Sequence, residues 1–265
     1  MKKRPLLWYF ILAYAITWLI WLPGVLSALG LMDFQFDPSA LVFIGAVGPI
    51  LALMIVTAVN EGGDGVRNLF TEIFRQKIRW AWLLGSLLAP LVLVGLALLL
   101  LSTGSGTDIS TRVLFPNLSL LLIFVVLVLA AIGEEIGWRG YAQPKFQETY
   151  HPFVAALILT VLWLCWHIPT FFFYPIPVEL FQQLGLVAIF PTLFTFLIQG
   201  ITYAWVMNRS GSVMAVALVH AGFNFGTSAA TQEAGGLVLL GYFIFALVVA
   251  IVSRGRLGVP QNQNS

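Results

Sequence analysis

Four side chains that could carry out hydrolysis lie inside strongly apolar stretches of the sequence. Glu134 lies near the end of one stretch, His167 lies in the next, and His220 and Asn224 share a later one. An ionisable side chain at the centre of a membrane-spanning helix costs roughly 2.5–3.5 kcal/mol, so each is a functional candidate. A carboxylate or imidazole can activate water while nearby donors stabilise an oxyanion. The combination predicts hydrolysis at a carbonyl group.

Helical spacing predicts different roles for the two adjacent acids. Glu135 and Arg139 are four positions apart and share a helix face, which predicts an ion pair. Glu134 points in another direction, and the residue four positions after it is Trp138, which cannot neutralise it. The same spacing predicts two more shared faces: Trp163 with His167, and His220 with Asn224.

Chain length predicts that the candidate residues lie at similar depths. If a hairpin turns near residues 150–152, Glu134 precedes the turn by about 17 residues and His167 follows it by about 16, so both lie ~25 Å from it. His220 lies about nine residues, or ~14 Å, beyond the turn at Ser210 and Gly211. With straight helices, the carboxylate and both imidazoles converge.

Structural interpretations of these residues also stay open. The Glu135–Arg139 pair could simply cap the cytoplasmic end of a span, and His and Asn can join neighbouring helices by hydrogen bonds. Taken together, the motifs favour the catalytic interpretation of the histidines. A serine mechanism is disfavoured because the Ser-containing turns lack a paired histidine, and Cys165, inside an apolar run, is a poor candidate nucleophile.

Composition excludes a soluble globular protein. Of 265 residues, 60% are hydrophobic and 9% are charged, against roughly 25% charged in soluble domains. The net charge of +2 provides no basic surface for nucleic acid. The single cysteine excludes an internal disulfide.

Eight apolar runs predict an all-α, polytopic integral membrane protein with about eight spans. The runs are 6–31, 40–59, 80–101, 113–138, 153–173, 181–207, 212–229 and 235–252. Between the second and third, segment 64–78 has apolar residues at helical spacing among charged ones, which predicts an interfacial amphipathic helix. The whole chain, 1–265, is predicted to be a single transmembrane domain. It comprises N-terminal helices within 6–101, a core of about 113–253 and a short polar tail, 254–265.

Basic residues predict that both termini are cytoplasmic. With the N-terminus inside, twelve Lys and Arg residues face the cytoplasm and only Arg112 faces the other side. The first apolar run is too long for a cleavable signal peptide and is interpreted as a retained span. We expect a multi-pass protein of the cell membrane, which is the cytoplasmic membrane if the source is bacterial.

Three motifs in order resemble the CPBP family, the CAAX-protease and bacteriocin-processing (Abi) intramembrane endopeptidases. They are EExxxR ending at Arg139, an aromatic-xxx-His motif ending at His167, and HxxxN ending at Asn224. Trp163 stands where the family more often has Phe. The resemblance implies that Glu134 and His167 activate water, that His220 and Asn224 stabilise the oxyanion, and that Glu135, Arg139 and Trp163 support them.

The resemblance leaves the metal open. The family is commonly classed with metalloproteases, yet HExxH is absent, and Glu134, His167 and His220 could be Zn²⁺ ligands or a metal-free acid–base set. We expect contacts with membrane lipids and a peptide or lipidated protein substrate, and none with nucleic acid. The oligomeric state is not predicted. Alternative functions are a non-catalytic bacteriocin-immunity protein and a proton-coupled transporter, because intramembrane Glu, Arg and His also mark ion paths.

Overall fold

The protein is a bundle of helices in a computed structural model that describes residues 1–75, 79–105, 118–229 and 232–259. No β-strand occurs in these four ranges. The helices are α1 (Pro5–Ala28), α2 (Pro38–Gly45), α3 (Gly48–Arg75), α4 (Trp80–Ser105), α5 (Leu118–Glu135), α6 (Gln143–Gln147), α7 (Pro152–Trp166), α8 (Thr170–Phe173), α9 (Pro175–Leu184), α10 (Ile189–Ser210), α11 (Val213–Ala229) and α12 (Gln232–Val252). A π-helical segment, Ile136–Ala142, joins α5 to α6, and a 3-10 turn, Gly185–Ala188, joins α9 to α10.

The predicted all-α, polytopic class is confirmed. Within the described ranges, six helical segments are long and apolar enough to cross a membrane. The two other predicted spans, 153–173 and 212–229, correspond to the shorter apolar helices α7 and α11, with 15 and 17 residues. The protein is therefore a multi-pass membrane protein, while the count of eight spans and the cytoplasmic termini stay predictions. Arg112 lies outside the described residues.

The second predicted span, 40–59, lies within one apolar helical stretch, Pro38–Thr71, that is long enough to cross a membrane. It is divided between α2 and α3, which are separated by Ala46 and Val47. The break lies where α1 passes closely: a Cβ at Gly48 would be 1.9 Å from the Thr17 hydroxyl oxygen. Asp37 begins α2 by accepting a hydrogen bond from the Ala40 N–H at 3.0 Å.

The predicted amphipathic segment forms the second half of α3. Gly62 interrupts this helix with φ 75° and ψ −168°, a conformation that glycine adopts without steric cost. Beyond the kink, Val66 and Phe70 are half-buried, whereas Arg67 is exposed. The helix ends at Arg75, and residues 76–78, including Lys77, lie outside the described ranges, as do 113–117 of the predicted core and 260–265 of the tail. The location of the amphipathic segment at the membrane interface stays a prediction.

Two of the predicted spans are interrupted beside the candidate catalytic residues Glu134 and His167. The run 113–138 is helical in α5, then changes to π-helical geometry from Ile136 to Ala142. The run 153–173 is not one continuous helix, because α7 ends at Trp166. Pro169 has no N–H for the Cys165 carbonyl and disfavours helical geometry at Ile168. Ile168 instead donates to the Cys165 carbonyl at 3.2 Å in a tightened final turn.

Helix packing brings the motif-bearing segments together. Helix α11 packs against α5, α4 and α10, and α10 packs against α7 and α12. Gly211, in the left-handed region with φ 64°, forms the tight turn between α10 and α11. Beside the π-helical segment, four fully buried aromatic residues contact one another: Tyr9, Trp21, Trp138 and Trp166. This aromatic core fixes α1 and α7 against the segment that follows the two acids.

Candidate active site

Glu134 lies in the last turn of α5 and is 8% exposed. Its Oε2 accepts a hydrogen bond from the indole N–H of Trp163 at 2.8 Å, and its side chain lines a cavity between the helices. The hydrogen bond joins α5 to α7 and fixes one carboxylate oxygen. The carboxylate is thus held at the cavity wall.

Glu135 is fully buried and does not line this cavity. Its Oε1 accepts hydrogen bonds from Arg139 Nη1 at 3.0 Å and from His220 Nδ1 at 2.8 Å. Arg139 and His220 are themselves only 1% and 4% exposed. One carboxylate oxygen therefore connects the π-helical segment with α11.

The two histidines are oriented through the same ring nitrogen. His167 is the residue that follows α7, and its Nδ1 lies 2.9 Å from the Trp163 carbonyl oxygen. A carbonyl can only accept, so Nδ1 carries the hydrogen and Nε2 of the neutral ring is an acceptor. In His220, Nδ1 is directed to Glu135, and Nε2 is again the nitrogen left for the cavity.

Two aromatic side chains support these polar groups. Trp163 packs edge-on against both imidazole rings, with centroid distances of 5.2 Å to His167 and 5.5 Å to His220. Tyr203, on α10, stacks on His220 at 5.1 Å with an interplanar angle of 29°. The Arg139 guanidinium lies over both aromatic rings, 4.6 Å from Trp163 and 5.1 Å from Tyr203. These packed rings limit rotation of His220 and Arg139.

The cavity has a volume of about 340 Å³ and gathers the four predicted catalytic residues. It lies among α2, α5 and α7–α11, and most of its wall is apolar. Its polar and ionisable lining includes Glu134, His167, Thr170, Thr192, Thr195, Gln199, His220, Asn224 and Thr227. Of the predicted supporting residues, Trp163 lines the cavity, while Glu135 and Arg139 lie behind its wall.

Sequence reasoning missed Gln199 and Tyr203. Both are buried, and the Tyr203 hydroxyl donates to Gln199 Oε1 at 2.8 Å. The available signal was their spacing of four residues inside the apolar run 181–207, the same signal that identified the histidine motifs.

Zinc coordination by Glu134, His167 and His220 stays an open alternative to a metal-free acid–base set. No three His, Cys, Asp or Glu side chains within the part of the chain that the structure describes are grouped closely enough to hold a metal ion. The hydrogen bonds direct Glu134 to an indole and both Nδ1 atoms to protein acceptors. These bonds leave Nε2 of both histidines toward the cavity.

Residues 116–226 match the family model of the type II CAAX prenyl endopeptidases, described as Rce1-like. The predicted family resemblance is confirmed. The Rce1-like segment contains every predicted site residue, together with Gln199 and Tyr203. A curated relative, CAAX prenyl protease 2 of Methanococcus maripaludis, is 27% identical over 179 residues, and the match covers 64% of this chain and 64% of the relative.

Proposed function

We propose that the protein is an intramembrane endopeptidase that hydrolyses a peptide bond in a membrane-associated or lipidated peptide or protein. The observation that carries this proposal is that the two adjacent acids occupy different positions relative to the cavity. Glu134 shares the cavity with His167, His220 and Asn224, whereas Glu135 is withdrawn behind it. The similarity to CAAX prenyl protease 2 supports the same class of reaction.

In this proposal, Glu134 and His167 activate the attacking water. His167 donates from Nδ1 to the Trp163 carbonyl, so Nε2 can accept a hydrogen from water, and Glu134 provides a second acceptor. As the water oxygen attacks the carbonyl carbon, its proton passes to Glu134. That proton is then delivered to the leaving nitrogen when the C–N bond breaks.

His220 and Asn224 stabilise the oxyanion in this scheme. His220 acts as an imidazolium, donating from Nδ1 to Glu135 and from Nε2 to the developing oxyanion. The Asn224 amide, four residues further along α11, supplies the second donor. Glu135 and Arg139 position His220 without contacting the reacting atoms.

Peptide cleavage by the purified protein tests the proposal. The protein is reconstituted in lipid vesicles with a synthetic peptide ending in Cys-Ala-Ala-Met, in a farnesylated and an unmodified form, and products are identified by mass spectrometry. We expect cleavage of the farnesylated peptide and at least a 100-fold lower rate for Glu134→Gln, a typical loss for a general base.

Glu148→Gln is the matched control. Glu148 is an exposed carboxylate that lies 3.5 Å from the Lys145 ammonium and does not line the cavity. This variant should retain the parental rate. Absence of any cleaved product, or equal rates for Glu134→Gln and the parent, would contradict the protease proposal and favour the immunity or transporter alternatives.

A further inference from the structure

Helix α10 carries a line of polar side chains along the cavity wall, which we name the polar stripe: Thr192, Thr195 and Gln199. Their spacings of three and four residues place them on one helix face. All three line the cavity that holds the candidate catalytic residues. The threonines are partly exposed, whereas Gln199 is 5% exposed. The polar stripe therefore runs inward toward the site.

Two members of the polar stripe have hydrogen-bonding capacity left for a ligand. The Gln199 Oε1 accepts from the Tyr203 hydroxyl at 2.8 Å, and Nε2 makes a long contact of 3.4 Å with the Thr195 carbonyl. A carboxamide nitrogen carries two hydrogens, so one N–H stays available. The Thr192 hydroxyl donates to the Ala188 carbonyl at 2.8 Å, and its lone pairs can still accept.

These groups can provide hydrogen-bond partners for the backbone of an extended peptide. A peptide group that enters an apolar cavity without hydrogen bonds costs several kcal/mol. Thr192 and Gln199 are seven positions apart on the helix, which corresponds to a rise of about 10.5 Å. Extended chain rises about 3.3 Å per residue, so the polar stripe is as long as about three residues. Among the described residues, the cavity lining contains no Lys or Arg, which favours recognition of backbone groups over acidic side chains.

We propose that the polar stripe binds the backbone of an extended substrate segment of about three residues and positions it for cleavage. Gln199 donates to a peptide carbonyl, and the Thr192 hydroxyl accepts from a peptide N–H. Tyr203 holds the Gln199 amide in this orientation while stacking on His220. Substrate binding is thus linked to the oxyanion donor. This inference rests on the proposed peptidase function.

The kinetic test removes the polar groups without changing side-chain shape. Thr192→Val combined with Thr195→Val, and separately Gln199→Leu, should raise the KM for the farnesylated peptide about 10-fold or more, with a smaller change in kcat. Loss of a hydrogen bond made equally in the bound and transition states produces this pattern. The corresponding Thr→Ser double variant retains both hydroxyls and should behave like the parent.

Thr202→Val provides the control on the same helix. Thr202 is 2% exposed and its hydroxyl has no hydrogen-bond partner in the described structure. It lines a separate cavity of about 530 Å³ formed by α4, α10, α11 and α12. The KM of the Thr202→Val variant should equal that of the parent. An equal rise in KM for Thr202→Val and the stripe variants would overturn the proposal.

Photo-crosslinking tests the polar stripe without requiring turnover. A farnesylated peptide with benzoylphenylalanine in place of the second residue after the modified Cys is bound to Glu134→Gln protein and irradiated. We expect adducts on α10 between residues 189 and 199, and at least a 5-fold lower yield in the Gln199→Leu background. Adducts confined to other helices, adducts in the Thr202 cavity or no adduct at all would overturn the inference.

The two proposals fail in distinguishable ways. If the parent protein does not cleave the peptide, the proposed activity on this substrate is wrong, while the adduct position still decides whether the polar stripe binds an extended segment. If the peptide is cleaved but the stripe variants match the parent in KM and adduct yield, the activity stands and the polar stripe proposal is wrong.

Discussion

Nδ1 of His220 lies 2.8 Å from Oε1 of Glu135, although the two residues are 85 positions apart. The same oxygen receives Arg139 at 3.0 Å. Glu135 therefore fixes the orientation of a cavity-lining imidazole from behind the cavity wall. The neighbouring Glu134 carboxylate is left for the cavity, with one oxygen fixed by Trp163.

The buried ion pair should show strong energetic coupling. Glu135→Gln and Arg139→Gln should each lower the free energy of unfolding in mixed micelles by about 3–5 kcal/mol, because each removes one partner of a buried ion pair. The double variant should be destabilised by less than the sum of the two. The exposed Lys145–Glu148 pair is the control, with an expected coupling of about 0–1 kcal/mol. Additive effects at Glu135 and Arg139 would show that the pair is not coupled.

Tyr203 should matter mainly through its ring. Tyr203→Leu removes stacking on His220 and the contact with Arg139, so kcat for the farnesylated peptide should fall about 10-fold, equivalent to ~1.4 kcal/mol. Tyr203→Phe retains the ring and should keep most of kcat, while raising KM because the Gln199 amide loses its fixed orientation. Equal kcat values for the Leu and Phe variants would rule out a positioning role for the ring.

Trp163→Phe should separate ring packing from the hydrogen bond to Glu134. Phe retains an aromatic ring beside both histidines but has no N–H, so Glu134 loses its fixed orientation. We expect kcat to fall about 10-fold or more, in line with ~1.5–3 kcal/mol for a hydrogen bond to a charged group.

Trp18→Phe is the matched control for this change. The Trp18 indole also donates a hydrogen bond, to the Trp166 carbonyl at 2.9 Å, and Trp18 does not line the cavity. Its kcat should be close to that of the parent. If both variants lose activity equally, the indole of Trp163 has no special role at Glu134.

Gly133 should tolerate no side chain. An alanine Cβ would lie 2.8 Å from the Ala46 carbonyl oxygen, a backbone atom that cannot rotate away. Gly133→Ala should lower the free energy of unfolding by about 1–3 kcal/mol and reduce activity through the adjacent Glu134. Gly95→Ala, in α4 with nothing near its Cβ position, should be neutral or stabilising by up to about 1 kcal/mol. A stable, active Gly133→Ala protein would contradict this close packing.

Spacing within a helix was the reliable part of the sequence reasoning. It correctly paired Glu135 with Arg139 and placed Trp163 beside His167, because neighbours four apart meet regardless of tertiary structure. Apolar length likewise predicted the all-α membrane class. The roles assigned to the site residues stay predictions.

The spacing of residues within one helix could not predict contacts between helices. The sequence paired Glu135 only with Arg139, because the bond to His220 depends on how α5 and α11 pack. Two local features interrupt the straight helices assumed for the depth estimate: α7 ends before Pro169, and a π-helical segment follows Glu135. Gln199 and Tyr203 are spaced four residues apart but belong to none of the three family motifs.

The π-helical segment also restricts how the chain can change length. A π-helical turn holds about one more residue than an α-helical turn, so it behaves as a single-residue insertion into an ordinary helix. Deleting a residue between Glu135 and Arg139 would shorten their spacing from four residues to three, which turns the guanidinium by about 100° around the helix. The guanidinium would then leave the carboxylate oxygen of Glu135 that also receives His220. The number of residues in this stretch is therefore tied to the ion pair behind the cavity wall.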